Sequence, residues 1–168
     1  MFAFNNSTWS TGVSSKPKFL LSDNLNKLAK WLRALGYDSL VGQSISLHNL
    51  RRIGYRDRRI ILTRSRKVAR SPHHFPRRLI RSEDSWQQLQ EIKDLLEYDE
   101  KSIFSRCLEC NRVLVPIEKE QIKNLVPSFV FQTQNSFSYC KKCGKIFWKG
   151  SHYKDMKKKL DKIFGNRG

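Results

Sequence analysis

Acid is scarce in this sequence. Fifteen Asp and Glu stand against 33 Lys and Arg, a formal net charge of +18 over 168 residues. Such an excess disfavours a basic partner and favours a polyanion, either nucleic acid or an anionic surface. Long apolar runs are missing as well, and none approaches the ~18 residues of a membrane helix. No internal repeat covers the chain, which argues against a solenoid. Cysteine is limited to four residues, all in two close pairs. Residues 1–17 hold no acid and one base, Lys16. They lack the apolar core of a secretory signal and the arginines of a convincing organelle presequence; a weak transit-peptide remnant and a flexible arm both fit, with the arm as the default reading. The 39% hydrophobic content allows a packed core for one domain and a small appendage.

The basic residues that are present fall in two clusters. Between residues 51 and 81 the only acid is Asp57, against twelve bases: Arg51, Arg52, Arg56, Arg58, Arg59, Arg64, Arg66, Lys67, Arg70, Arg77, Arg78 and Arg81. Eleven of the twelve are arginine, whose planar fork suits phosphate. Of these, all but Arg81 are expected phosphate contacts. The second cluster is lysine-rich: Lys141, Lys142, Lys145, Lys149, Lys154, Lys157, Lys158, Lys159 and Lys162. Lys141, Lys142, Lys145, Lys157, Lys158 and Lys159 are the expected contacts there. Phe147, Trp148 and Tyr153 stand among these lysines. Aromatics interleaved with bases stack nucleobases in some proteins and pack a core in others.

Hydrophobic patterning supplies the architecture. "KFLLS" (18–22), "DSLV" (38–41), "RIILT" (59–63) and "RRLIR" (77–81) read as short strands. After Asp23, apolar residues at Leu25, Leu28, Ala29, Leu32 and Leu35 keep helical spacing, with Lys27, Lys30 and Arg33 off that face and Gly36 as the stop. Ser46 reads as the cap of a second helix closed by Gly54, and "SEDSWQQLQEIKDLLEY" as a third. Alternating strands and helices predict an α/β fold with a mostly parallel sheet. Function in such sheets gathers at the C-terminal strand ends, where Asp23 and Ser65 fall. Beyond Phe104 come a cysteine pair, a short helix near 118–125, a second cysteine pair and a lysine-rich helix from Ser151.

The cysteines form "CLEC" (Cys107, Cys110) and "CKKC" (Cys140, Cys143). Two such knuckles brought together supply four thiolates at tetrahedral geometry, the requirement of structural zinc. A fully thiolate-ligated ion has no open position, so its expected role is to fold the region. This cysteine usage points inside the cell, with cytoplasm, mitochondrion and plastid all left open.

In order along the chain, "KFLLSDNLNKLAKWLRALGYDSLV", "IILTRSR", "LIRSEDSWQQL", "FSRCLECNRVLVPI" and "VPSFVFQTQNSFSYCKKCGKIFWKGSHYKDM" resemble the Mut-seven C-terminal RNase domain family. The resemblance covers roughly residues 18–156. It implies a PIN-like α/β nuclease domain followed by a zinc ribbon, here about 18–104 and 105–168, the latter ending in the basic helix. It also implies a cluster of carboxylates that holds Mg²⁺ or Mn²⁺ for RNA cleavage. Asp23 matches the first family acid. The aspartate of the family's T-R-D motif falls on Ser65, and further acids fall near Ser44, Leu47 and His48. Asp38, Glu83 and Asp84 are retained. If the chain is an enzyme, Asp23, Asp38 and Asp84 are its expected catalytic carboxylates. The depleted acid set, beside the arginines of 51–81, points instead to an RNA-binding, non-catalytic descendant of a nuclease, expected as a subunit of a ribonucleoprotein such as a ribosome. The alternative is a metal-dependent endoribonuclease. Phosphate contacts alone do not separate RNA from DNA.

Overall fold

A computed structural model describes residues 16–42, 46–71 and 75–165, with only the backbone of Leu47. Trp9 and the rest of the arm before Lys16, Ser44, His73 and His74 lie outside the described residues. The chain forms two compact units. The first takes the described residues up to Leu32 with Tyr37–Glu97, and the second takes Arg33–Gly36 with the described residues from Tyr98 on.

The first unit is built on a four-stranded sheet: β1 (Lys18–Ser22), β2 (Ser39–Gly42), β3 (Arg59–Thr63) and β4 (Arg77–Leu79). Their order is β2-β1-β3-β4, and every pair is parallel. Parallel strands need crossovers. α1 (Asn26–Ala34), α2 (Leu47–Arg56) and the single turn α3 (Arg66–Ala69) supply them, and α4 (Ser85–Glu91) follows β4. The α/β class expected from the alternation is therefore the one observed. Phe19, Leu20 and Leu21 are consecutive and all buried, because helices cover both faces of such a sheet. On one face Leu20, Leu50, Ile61 and Phe75 pack with Leu40, Ile53 and Val68. Elsewhere Phe19 meets Tyr37 edge to face, with ring centroids 5.5 Å apart.

Local chemistry explains where the elements stop, and twice it differs from the pattern. Ser46 caps α2 by accepting the Asn49 N–H at 3.3 Å. Gly54 does not close that helix, which runs on to Arg56. A Cβ at Gly54 would lie 3.0 Å from Ile61 Cδ1, so this glycine lets α2 approach β3. The third helix ends at Glu91 and continues only as a 3-10 turn, Lys93–Leu95.

The second unit carries an antiparallel sheet of β5 (Val115–Ile117), β6 (Phe137–Tyr139) and β7 (Ile146–Trp148), in that order. The short helix expected near 118–125 is a 3-10 turn, Lys119–Ile122, and a separate α5 (Ser128–Thr133) follows. The lysine-rich helix is α6 (Ser151–Phe164). It buries Met156, Leu160, Ile163 and Phe164, with lysines on its other faces. Tyr98 stacks on Phe164 with ring planes 7° apart. No helix among the described residues is long and apolar enough to cross a membrane.

Candidate metal centre and nucleic-acid interface

The two cysteine pairs converge. The Sγ atoms of Cys107, Cys110, Cys140 and Cys143 all lie within 4.8 Å of one another, and Cys107 and Cys143 are 3.8 Å apart. All four cysteines are free. Sulfurs bonded to one tetrahedral ion at about 2.3 Å stand roughly 3.8 Å apart, so the cluster fits a four-thiolate metal site.

The backbone explains the fit. The Cys107 N–H donates to the Arg112 carbonyl at 2.8 Å, and the Asn111 N–H to the Cys107 carbonyl at 2.9 Å. The second pair repeats both bonds one for one: Cys140 N–H to Lys145 at 3.0 Å, and Gly144 N–H to Cys140 at 2.8 Å. Each turn closes on a left-handed residue, Asn111 at φ 63° and Gly144 at φ 71°. Glycine and asparagine tolerate that region best. A glycine directly after a cysteine pair marks such a turn in a sequence, whereas Asn111 becomes the counterpart of Gly144 only through this repeat.

Burial pushes the Cys107 thiol up, and its interaction with Cys143, then burial, pushes Cys110 up to about 12. Cys140 falls to about 7. Burial opposes that fall, but N–H groups of Cys143 and Lys142 favour the thiolate. Thiols crowded in this way resist ionising together unless a cation compensates them.

The helical pattern of α1 places Arg33 off its apolar face. It is buried, and its guanidinium donates to the carbonyls of Leu108 and Glu109, at 2.6 and 3.0 Å, between the first two cysteines. Nothing in a helical pattern distinguishes such an arginine from a solvated one.

The second candidate lies at the C-terminal ends of the parallel strands. Register pairs Leu21 with Leu62, so Ser22 stands beside Thr63, with hydroxyls 3.5 Å apart. Asp23 and Arg64 then open adjacent loops. The Asp23 side chain is exposed, and its backbone carbonyl accepts from Asn26 at 2.5 Å. Ser65 is the N-cap of α3, its Oγ accepting the Val68 N–H at 3.3 Å. Asp84 caps α4, accepting from Trp86 and Gln87 at 3.0 and 2.9 Å. Glu83, largely exposed, pairs with Arg64 at 2.8 Å. Asp38 lies elsewhere: just before β2, at the N-terminal end of the sheet, it holds Arg59 through both oxygens at 2.8 and 3.1 Å. The expected catalytic trio is thus split between opposite ends of the sheet. One exposed carboxylate, one capping carboxylate and an ion-paired one do not make the oxygen cage that Mg²⁺ or Mn²⁺ requires.

Where carboxylates are few, guanidinium groups gather. A cavity of ≈ 570 Å³ at the ends of β3 and β4 is lined by Arg64, Arg66, Arg70, Leu79, Ile80 and Arg81. Arg66, Arg70 and Arg81 are exposed. Arg81 is the member that had not been singled out as a contact.

The other expected contacts divide. Arg59 is buried. Arg77 donates to the carbonyls of Ala69 and Ser71 and lies 4.9 Å from the Phe75 ring centre. Arg78 pairs with Asp94 at 2.6 Å and Arg56 with Asp57 at 2.7 Å. Arg51 is half-buried, while Arg52, Arg58 and Lys67 are exposed. Of the lysines, Lys141, Lys142, Lys158 and Lys159 are exposed. Lys145 lies 3.9 Å from Glu109, and Lys157 pairs with Asp161 at 3.0 Å. His48 and His152 are exposed on their helices. Tyr153 is half-buried against Phe104, ring centroids 4.3 Å apart, a packing contact rather than an open platform.

Residues 17–160 match the family model described as the Mut7-C RNAse domain. No curated protein and no solved structure matches the chain.

Proposed function

The chain belongs to the Mut7-C RNase domain family, and from that premise we propose that it is a non-catalytic RNA-binding member, held in shape by zinc and working as a subunit of a ribonucleoprotein such as a ribosome. The family is one of ribonucleases, so RNA is the expected partner. The observation that carries the non-catalytic reading is the replacement at the strand ends. Of Asp23, Glu83 and Asp84, the carboxylates expected there, only Asp23 has no capping or ion-pair role among the described residues, and four arginines line the adjoining cavity. Guanidinium groups repel a divalent cation and attract the phosphate directly. No metal-activated step is derived for this site, because the donor set does not fit one.

Zinc is the metal that the four-cysteine cluster suits. Two C-x-x-C knuckles that converge on one tetrahedral four-sulfur site are the usual ligand pattern of structural zinc. Cys107, Cys110, Cys140 and Cys143 would hold it, and the charge it supplies would keep the four sulfurs ionised. Arg33, donating to the Leu108 and Glu109 carbonyls, fixes the first knuckle's turn for that purpose.

RNA contacts are assigned to the exposed bases: Arg52, Arg58, Arg66, Lys67 and Arg70 in the first unit, and Lys141, Lys142, Lys158 and Lys159 in the second. Retention of an intact scaffold with a depleted acid set fits a structural place in a large RNA–protein particle, where shape and charge are used and cleavage is not.

The test is titration of a labelled single-stranded RNA in metal-depleted buffer with no Mg²⁺ or Mn²⁺ added and no chelator present, compared with the same buffer containing either ion. Binding that persists, and falls steeply with salt, is the expected result. Binding that requires Mg²⁺ or Mn²⁺ contradicts the reading and favours the endoribonuclease. The particle assignment is checked by sedimentation of a cell extract. Comigration with a ribonucleoprotein, lost on RNase treatment, supports it, and migration as free protein in both samples does not.

A further inference from the structure

We propose that the arginine-lined cavity at the ends of β3 and β4 is a pocket for one nucleotide phosphate, and that Glu83 occupies Arg64 until the phosphate displaces it. The proposal rests on the RNA-binding reading and narrows it to one site and one chemical group.

Four guanidinium groups, from Arg64, Arg66, Arg70 and Arg81, share one concavity whose apolar lining is Leu79 and Ile80. Like charges drawn together cost free energy unless an anion joins them. Only Arg64 has a carboxylate, Glu83 at 2.8 Å, and that carboxylate belongs to a side chain 86% exposed. An exposed pair of this kind is weak, so a phosphate that meets several arginines at once displaces it. The side chains of Arg66, Arg70 and Arg81 have no partner among the described residues. The volume, ≈ 570 Å³, lies in the range of small-molecule sites and has room for one nucleotide, not for a duplex.

The adjoining concavity of ≈ 590 Å³ is a poorer candidate. It shares Arg81 and Leu79 but also contains Glu91, whose carboxylate accepts the N–H groups of Arg81 and Ser82 at 2.8 and 2.7 Å. A carboxylate fixed there repels phosphate. The lysines of α6 line neither of these two concavities, and they suit non-specific contact rather than a pocket.

Two sources supply the same chemistry, an internal phosphodiester and a strand terminus. The experiment is fluorescence anisotropy of a short single-stranded RNA, with a 5′-phosphate or a 5′-hydroxyl, in metal-depleted buffer with no Mg²⁺ or Mn²⁺ added and no chelator present. The native chain is compared with the Arg66→Ala/Arg70→Ala double variant and with Glu83→Gln. The double variant is expected to bind at least tenfold more weakly, with a log–log salt slope shallower by roughly one. Glu83→Gln, which frees Arg64, is expected to bind severalfold more tightly. Dependence on the 5′-phosphate assigns the pocket to a terminus, and equal affinity assigns it to the internal backbone. Native affinity and slope in a folded double variant would overturn the pocket while leaving the RNA-binding reading standing. A native chain that binds no RNA would overturn that reading. The pocket is then decided by inorganic pyrophosphate, followed through the Nε–Hε resonances of Arg66 and Arg70 in the native chain. That measurement also serves if the double variant does not fold. Shifted resonances uphold the pocket, and unmoved ones reject it.

Discussion

Asp38 and Ser65 are small residues whose roles follow from one or two contacts each. Asp38 holds both terminal nitrogens of Arg59, a side chain only 8% exposed. Removing one partner strands a charge in a place with little water, which costs about 3 kcal/mol when fully buried and less here, since Asp38 is one-fifth exposed. Asp38→Ala is therefore expected to lower the urea midpoint clearly while leaving the salt slope of RNA binding unchanged. A variant of native stability would free this carboxylate for another role. Ser65 caps α3, and aspartate is an equally good cap. Ser65→Asp is thus expected to fold with native stability, while Ser65→Ala loses about 1 kcal/mol. Thermal melts of both variants check the pair. Equal losses in the two would show that the hydroxyl does not act as a cap.

At the scale of the element, α6 is tied down by a cluster at its far end. The Tyr98 hydroxyl donates to Asp161 at 2.5 Å, and Lys157 reaches the same carboxylate at 3.0 Å. Burial, then the bond to Asp161, pushes Tyr98 up to about 12. Asp161 holds Lys157 above the usual lysine range. Burial works against the Asp161 carboxylate, but Tyr98 and Lys157 outweigh it and set its pKa below the ordinary one. The stability contributed by Asp161 is present above its unfolded pKa, about 3.9, and fades as pH falls through the lower folded value. That of Tyr98 is complete below about 10 and fades as pH rises through about 12, and that of Lys157, raised above the ordinary lysine value, fades higher still. The contribution of this cluster, read as the difference in melting between the native chain and Asp161→Asn, should hold level between these limits and shrink on both sides. Asp161→Asn is expected to melt lower than the native chain between the limits, and a difference that does not shrink beyond them would contradict the assignment.

The elements also show what the sequence could carry. β1 and β3 were legible because a strand buried on both faces is a continuous apolar run, and α1 because its buried stripe repeats at helical spacing. The strands of the cysteine unit were not, since β5, β6 and β7 have three residues each, too few for a period to emerge. Gly54 misled because a packing glycine and a helix stop look alike without the neighbouring Ile61. At the site, the four cysteines stood out by spacing, and Asp23 and Ser65 by their place at the ends of strands. That Asp84 caps a helix, that Asp38 lies at the far end of the sheet, and that Arg33 and Arg59 are buried depended on tertiary placement, of which a charged residue in a linear pattern carries no trace.

For the whole molecule, the cysteine centre and the strand ends make separate claims. Chelating the metal is expected to open the second unit to proteolysis between Arg106 and Lys149 while the parallel sheet of the first stays protected. Equal resistance with and without chelator would mean that the four cysteines need no ion. The charge of +18 is the larger-scale counterpart of the arginine cavity, since it draws a polyanion in before any specific contact forms. The central claim is that this family member grips RNA without cutting it. The most direct measurement is a cleavage assay on single-stranded RNA with Mn²⁺ or Mg²⁺, using the native chain, Asp23→Ala and Ser65→Asp. The account predicts an uncut substrate with the native chain and with Asp23→Ala, under conditions where the RNA is bound. Metal-dependent cleavage by the native chain that disappears in Asp23→Ala would contradict it.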